Sequence, residues 1–503
     1  MEKRLVLAIA LSLLVLLTWS AFSPKPQPIE NKEVAYRDSQ LSPSVSSINQ
    51  SSAPAPVDIK ETLKFTQDTR EIIFNPAKAE ILEVVFKDKL EHRLLLKHGL
   101  LSDGNFLFKQ QSVTKDSISF VYEDQSRRII KRFKIPNNSY VIELEIQTKN
   151  LSSKPLTFTP QLILGTLDLS AKNPHSRYQD IFLGGKEKTM HLAAGKDFNS
   201  QDVKFIGLRD QYFCAILEPS NITLNAYIKK LPTQESEIGL FANETTLQPG
   251  IQIGHFYKIY LGPQDLKILN SIKPEWTAIV HFGTFDIIAQ VLLQLLGFFH
   301  SLVHNWGWAL IMLSLAVYFL LFPLSIKQMR SMKEMQALQP KIEALRKELK
   351  DNPQKLNKEI MGLYKEHKVN PLGGCLPLLL QMPIFFALYQ ALIRSTVLRG
   401  AQFLWIQDLS APDKLFVLKH SLPFLGNQIN LLPILMAIAM FVQQKISMGK
   451  TTGDAAQQQK IMSIIMPVMF GVIFYQMPSG LVLYWFVNSM LMLLYQFRIN
   501  SQK

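Results

Sequence analysis

Two hydrophobic patterns divide the chain. Between residues 60 and 270 apolar and polar positions alternate: Ile142, Leu144 and Ile146 are interleaved with Glu143 and Glu145, the period of a half-buried strand. Ser117–Tyr122, Ile81–Phe86 and His255–Leu261 read as further strands, and turn clusters such as Pro136-Asn-Asn-Ser139 separate them. This predicts an antiparallel β-sandwich. Beyond residue 282 the apolar positions fuse into runs of helix length. Residues 305–326, 371–394, 430–445, 461–477 and 480–497 read as five membrane spans. An apolar run from Leu5 to Phe22 adds a sixth at the N-terminus, within an anchor at 1–23. A cleaved signal peptide is the competing reading there, but Ser-Ala-Phe-Ser-Pro after Trp19 is a poor cleavage site.

Residues 282–304 are apolar enough for another crossing. Asp286, Gln290, Gln294, Gly297 and Ser301 nevertheless recur at helical spacing and predict a polar face, so this segment reads as an amphipathic helix lying in the interface. With six crossings, Lys and Arg fall in the loops 327–370 and 446–460 and in the tail 498–503. Both termini then face the cytoplasm, and the β domain and the loop 395–429 face the opposite side. Several spans are short and carry Pro377, Pro383, Pro433 or Pro467, a pattern that thins the local bilayer. Residues 24–59, rich in Ser, Pro, Gln and Asn, read as a flexible linker.

The segment 327–370 is the distinctive soluble piece of the helical half. Lys327 to Lys368 holds eleven basic and six acidic residues. Pro340 and Pro353 punctuate it, and Asn352-Pro353 has the form of a helix start. Ile342, Leu345 and Leu349 form one helical stripe, and Leu356, Ile360 and Leu363 another. Two antiparallel helices zipped along these stripes are expected. The plain reading is a solvated hairpin. The functional one is a basic lever at the membrane surface, with Lys333, Lys341, Arg346 and Lys347 able to touch ribosomes, anionic lipid head groups or charged client ends.

Composition narrows the chemistry. The 503 residues carry 47% hydrophobic side chains and a net charge of +14, much of it beside apolar segments, which favours membrane surfaces over nucleic-acid specificity. Cys214 and Cys375 are the only cysteines, too few for a disulfide framework or a cysteine zinc site. No nucleophile–base pair, carboxylate pair or metal-ligand spacing stands out in the β domain. His175 and His255 read as ordinary strand or surface residues. Neither enzyme activity nor a cofactor is expected. Gly449-Lys450-Thr451 lacks the first glycine of a phosphate loop, since Gln444 stands at that position.

Several segments of the helical half resemble the YidC family of membrane protein insertases. They are Lys365-Glu-His-Lys-Val-Asn-Pro-Leu-Gly-Gly-Cys-Leu-Pro-Leu-Leu-Leu-Gln-Met-Pro-Ile-Phe385, Asn305-Trp-Gly-Trp-Ala309, Phe322-Pro-Leu-Ser325, Leu338-Gln-Pro-Lys-Ile342, Leu404-Trp-Ile-Gln-Asp-Leu-Ser410 and Pro478-Ser-Gly-Leu-Val-Leu-Tyr484. The β domain and Tyr260-Leu-Gly-Pro263 resemble the Gram-negative branch with its large periplasmic domain. The resemblance implies an inner-membrane protein with a five-helix core and a hydrophilic groove open to the cytoplasm. Nascent membrane proteins would enter that groove, alone or beside the Sec translocon, with ribosome contact weak or transient.

One departure is informative. The family pattern places an arginine in the second span, and Tyr318 stands there in this chain. The resemblance then implies a groove without charge, made polar by Ser314, Tyr318, Gln381 and Asn488. Phe385 and Trp485 fall where aromatic residues would touch clients. Arg394 is a rival source of charge, but it lies at the end of its span, where reaching the interface suffices. A secondary transporter would show repeated halves, and none is evident. A membrane-anchored enzyme or glycan-binding protein whose work lies in the β domain is the other alternative, and the absence of a catalytic constellation argues against the enzyme.

Overall fold

The computed structural model describes residues 62–503, apart from 89, 103, 105, 171–177, 186–187, 193, 350–351, 368, 370–375, 423–425, 448–453 and 502–503. The anchor 1–23, the linker 24–59, His175 and Cys375 lie outside the described residues. The chain divides into two compact units, Met1–Pro263 and Gln264–Lys503.

The first unit is built from antiparallel sheets. Its largest sheet runs, strand by strand, Thr189–Leu192, Asp180–Gly184, Phe205–Arg209, Phe213–Pro219, Gln252–Pro263, Val141–Asn150, Arg127–Lys134, Ser117–Glu123 and Lys109–Val113. A four-stranded sheet, Gln161–Asp168, Glu235–Phe241, Leu224–Lys230 and Phe198–Val203, shares one apolar core with it. A second four-stranded sheet, Leu63–Gly99, contributes Phe74, Val84 and Leu96 to the same core. The alternation along 142–146 sorts as its period requires. Ile142, Leu144 and Ile146 are buried, while Glu143 and Glu145 pair across the sheet with Lys134 and Arg132 at 3.2 and 2.7 Å.

Among the described residues, Arg70 and Lys131 lie fully inside this unit, each satisfied by backbone carbonyls. Arg70 donates to the carbonyls of Leu261, Tyr140 and Ser139. Lys131 donates to those of Ala79 and Leu100 at 3.0 and 2.6 Å, and burial pulls its ammonium down to about 7. His255 is a buried strand residue whose imidazole burial holds below its ordinary range.

The second unit is helical: α1 Leu266–Ile272, α2 Asp286–Val303, α3 Trp306–Glu348, α4 Pro353–Glu366, α5 Leu376–Ile393, α6 Leu431–Ser447, α7 Asp454–Phe474 and α8 Ser479–Ser501. By length and composition 283–303, 306–326 and 479–498 are long and apolar enough to cross a membrane; 381–393, 431–446 and 463–474 are shorter apolar helices. Helix α2 departs from the simple amphipathic expectation. It buries Ala289, Leu292 and Leu296, yet Ile287, Val291, Leu295, Phe298 and Leu302 are exposed. Of its polar positions, Asp286 and Gln290 are half-buried and bonded to each other at 2.8 Å.

Helix α3 also differs from the sequence expectation. It runs 43 residues without a break through Pro323 and Pro340, about 65 Å and more than twice the hydrocarbon core of a bilayer. The span and the first arm of the charged hairpin are therefore one rod. The second arm begins where expected: Asn352 caps α4 by accepting from the Lys355 N–H. Ile342 meets Ile360 and Leu363 as the stripes suggest, and Leu338 and Val369 complete this small core.

The loop between α5 and α6 ties helix ends together. Asn305 caps α3 by accepting from Gly307 and Trp308, and a Cβ on Gly307 would run into the Phe403 ring. The buried carboxylate of Asp413 caps α6 from a distance, accepting from the Leu431 and Leu432 N–H groups at 2.8 and 2.9 Å and from the Trp405 indole at 3.0 Å. Ser479 and Gly480 at the start of α8 donate to carbonyls of Ala411, Asp408 and Leu409.

Candidate functional site

The stretches of α3, α5 and α8 at the expected groove contain no formal charge. Trp306–Ile326, Leu376–Ile393 and Ser479–Phe497 hold no Asp, Glu, Lys or Arg. Polar side chains in such a bundle must find partners among themselves or beside a guest segment. Tyr484 is the centre of the described network. Gln381 on α5 donates its amide to the Tyr484 hydroxyl at 2.6 Å, and Asn488, one turn on along α8, donates to the Tyr484 carbonyl at 2.8 Å. Tyr484 is fully buried, while Gln381 and Asn488 are half-buried. The junction is thus anchored inside and reachable at its rim.

Ser314 and Tyr318 stand apart from that junction. Ser314 is fully buried and its hydroxyl donates to the Leu310 carbonyl at 2.8 Å, a bond within its own helix. Tyr318 is half-buried and heads an aromatic chain: its ring lies 5.6 Å from Phe322, which meets Tyr495 of α8 edge-on at 5.0 Å. Among the described residues no hydrogen bond joins Ser314 or Tyr318 to Gln381 or Asn488.

The two aromatic candidates do come together. Phe385 meets Trp485 edge-on, with ring centroids 5.5 Å apart. Phe474 and Phe470 of α7 pack on the same indole at 5.2 and 5.5 Å. The result is a three-helix aromatic cluster, with Phe386 and Val472 exposed on the neighbouring surface.

On the hairpin, Lys341, Arg346 and Lys347 are exposed, and Lys341 lies 3.2 Å from the His367 imidazole. The Lys333 side chain lies outside the described residues.

Comparison with known proteins resolves what this arrangement belongs to. Residues 298–503 match the family model described as 60Kd inner membrane protein, and residues 101–295 match that of the YidC periplasmic domain. The chain is 32% identical to the membrane protein insertase YidC of Geotalea daltonii, over all of this chain and 99% of that one. It is 30% identical to the protein of the same description from Ralstonia nicotianae, over 99% of this chain and 97% of that one.

The chain belongs to the YidC family of membrane protein insertases.

A crystal structure of an active YidC insertase aligns over 88% of this chain and 93% of that one, at 21% identity and a TM-score of 0.43. As a YidC-family protein, the chain joins an inner-membrane helical unit to a periplasmic β domain.

Sequence reasoning missed Tyr484, Phe470, Phe474 and the Asp413 cap. Two of these left a signal. Tyr484 and Asn488 are four apart, as are Phe470 and Phe474, so each pair shares a helix face. Asp413 left none, because its partners lie 18 and 19 residues further along the chain.

Proposed function

We propose that this chain inserts integral membrane proteins through a charge-free polar cleft lined by α3, α5 and α8. The observation carrying this reading is the Gln381–Tyr484–Asn488 junction within the uncharged stretches Leu376–Ile393 and Ser479–Phe497. Moving a polar flank through hydrocarbon costs about 2.5–3.5 kcal/mol for a central charge on insertion scales. Hydrogen bonds between helices in membranes average about 0.6 kcal/mol. Bonds that weak can be exchanged for bonds to a passing client at little net cost. Phe385 itself is buried, so the client's own apolar span slides past the exposed Phe386 and Val472 that border the cluster and gains about 0.8 kcal/mol per CH₂ buried in lipid. The chain's work is non-enzymatic in this reading and uses no nucleotide.

Arg498 in the last turn of α8 and Lys445 in that of α6 support cytoplasmic placement of those ends. Both termini are then cytoplasmic, the β domain is periplasmic, and α2 lies along the interface. The partners are nascent membrane proteins, with the Sec translocon for some clients. The basic hairpin makes transient contact with ribosomes and anionic lipid head groups.

Complementation tests the reading. A Gram-negative host depleted of its own insertase expresses this chain, and insertion of a small client is followed by protease accessibility. Restored insertion is expected. No restoration by a well-expressed, membrane-localised chain would count against it.

A further inference from the structure

The loop between α5 and α6 carries a surface that the insertase reading leaves unused. The strands β1 Phe416–Leu422 and β2 Gly426–Ile429 form a two-stranded hairpin. Phe416 and Val417 are 62% and 66% exposed on it. Lys414, Lys419 and His420 are exposed beside them, and from Lys414 to Asn430 the chain contains no Asp or Glu. Leu404, at the turn whose Phe403 packs on Trp308, is 74% exposed, and Trp308 itself is 54% exposed. Exposed apolar side chains and exposed lysines are therefore presented together on this loop.

The register of the hairpin fixes its depth relative to α6. Phe416 pairs with Ile429 and Val417 with Gln428, two and three residues before α6 begins at Leu431. At about 3.3 Å per residue, both lie within about 10 Å of the first turn of α6. That helix has 17 residues, about 25 Å of length against a hydrocarbon core of about 30 Å. A span so short brings its first turn, and the Phe416 and Val417 side chains that pair beside it, to the hydrocarbon boundary. Asp413, bonded to both Leu431 and Leu432, holds the base of the hairpin to that helix end.

We infer that this hairpin docks onto anionic lipid on the leaflet opposite the α3–α4 hairpin, the periplasmic leaflet in the proposed topology. Phe416, Val417 and Leu404 enter the headgroup–acyl boundary, and Lys414, Lys419 and His420 face the phosphates. The inference rests on α6 crossing the membrane as proposed above. Docking places a local wedge where the short helices meet the bilayer.

The test uses the full chain with Cys375→Ser; Cys214 is fully buried. A fluorescent reporter is placed at Val417→Cys and a control reporter at Ile438→Cys, an exposed position on α6. The protein is reconstituted in phosphatidylcholine vesicles with and without phosphatidylglycerol. The Val417 reporter is expected to shift to the blue, to be quenched by a lipid carrying a nitroxide near its headgroup, and to be shielded from iodide. Lys419→Gln is expected to lower the docked-to-undocked ratio about five-fold in phosphatidylglycerol vesicles.

Free quenching by iodide overturns the proposal. So does shielding from both iodide and the nitroxide lipid, which would mean that protein covers the hairpin. Equal docking in the two lipids overturns the anionic choice. Quenching of the Ile438 reporter by a deep nitroxide separates these outcomes from failure of the spanning reading, which would leave Ile438 unquenched and remove the basis for docking.

Discussion

Gln381 and Tyr484 bridge α5 and α8 through a single amide-to-hydroxyl bond of 2.6 Å. The donor sits at the half-buried rim and the acceptor is fully buried. A bond with one reachable member can open toward a guest without unfolding the bundle. Tyr484→Phe removes the acceptor and keeps the ring, so its stability cost is small, about 0.6 kcal/mol on the average for such bonds. Insertion of clients with polar flanks should fall several-fold while the melting temperature moves little. A proportionate loss of both would assign the bond to structure alone.

By the Phe322-Pro-Leu-Ser325 motif, Tyr318 is read as standing where the family pattern has an arginine. Tyr318→Arg introduces a cation beside Phe322 and the Phe322–Tyr495 contact. Clients with acidic flanks should insert faster in this variant, and clients with neutral polar flanks should not. Competition between two such clients in one vesicle preparation reads the preference directly. An unchanged ratio would mean that Tyr318 does not face the guest.

Asp413 holds α6 by three hydrogen bonds from two segments. Asp413→Ala leaves two helix N–H groups and the Trp405 indole without their acceptor, at a cost of about 1–3 kcal/mol. Asp413→Asn keeps one acceptor oxygen and should cost less. Thermal unfolding of the purified protein should rank wild type above Asn and Asn above Ala. Equal Asn and Ala variants would show that the carboxylate–helix interaction is not what matters.

Lys131 gives the periplasmic domain an alkaline-favouring stability. Its folded-state pKa is pulled down to about 7 by burial, while an unfolded lysine keeps its proton to about 10.4. Between those values the unfolded chain binds more protons than the folded one, so stability rises with pH, by up to about 1.4 kcal/mol per unit. Below pH 7 both states are protonated and this contribution stops changing. Urea unfolding followed by protease resistance of the β domain should show the slope in wild type and lose it in Lys131→Met. Retention of the slope in Lys131→Met would assign it elsewhere.

Much of this architecture was legible in the sequence because burial imposes a period. Ile142, Leu144 and Ile146 announce their sheet, since a strand with one buried face must alternate. Asn352-Pro353 announces α4, since capping is local chemistry. The continuity of α3 through Pro340 was not legible. Proline removes one N–H and disfavours the preceding turn, but a long helix held at both ends tolerates it. The faces of α2 were only partly legible, because it is apolar inward and outward alike, so its polar positions do not mark one exposed side. The site was half legible. Gln381 and Asn488 stand out as polar residues in apolar runs, and Phe385 and Trp485 do meet. Ser314 has the same sequence signature as Gln381, yet it spends its hydroxyl on Leu310, because serine is short enough to bond its own helix and glutamine is not. Tyr484 was missed because a tyrosine in a span reads as an interfacial anchor until its partner is known.

The most direct test of the account is the insertion rate of a client with an uncharged polar flank into vesicles holding purified protein, compared between wild type and the double variant Gln381→Leu/Tyr484→Phe. The substitutions remove the Gln381–Tyr484 bond, leave the Asn488 bond to the backbone carbonyl of residue 484, and keep the volume and the aromatic ring in place. If the junction is the working polarity of a charge-free cleft, the double variant stays folded and inserts this client at a small fraction of the wild-type rate. Insertion at the wild-type rate by the folded double variant would contradict the account.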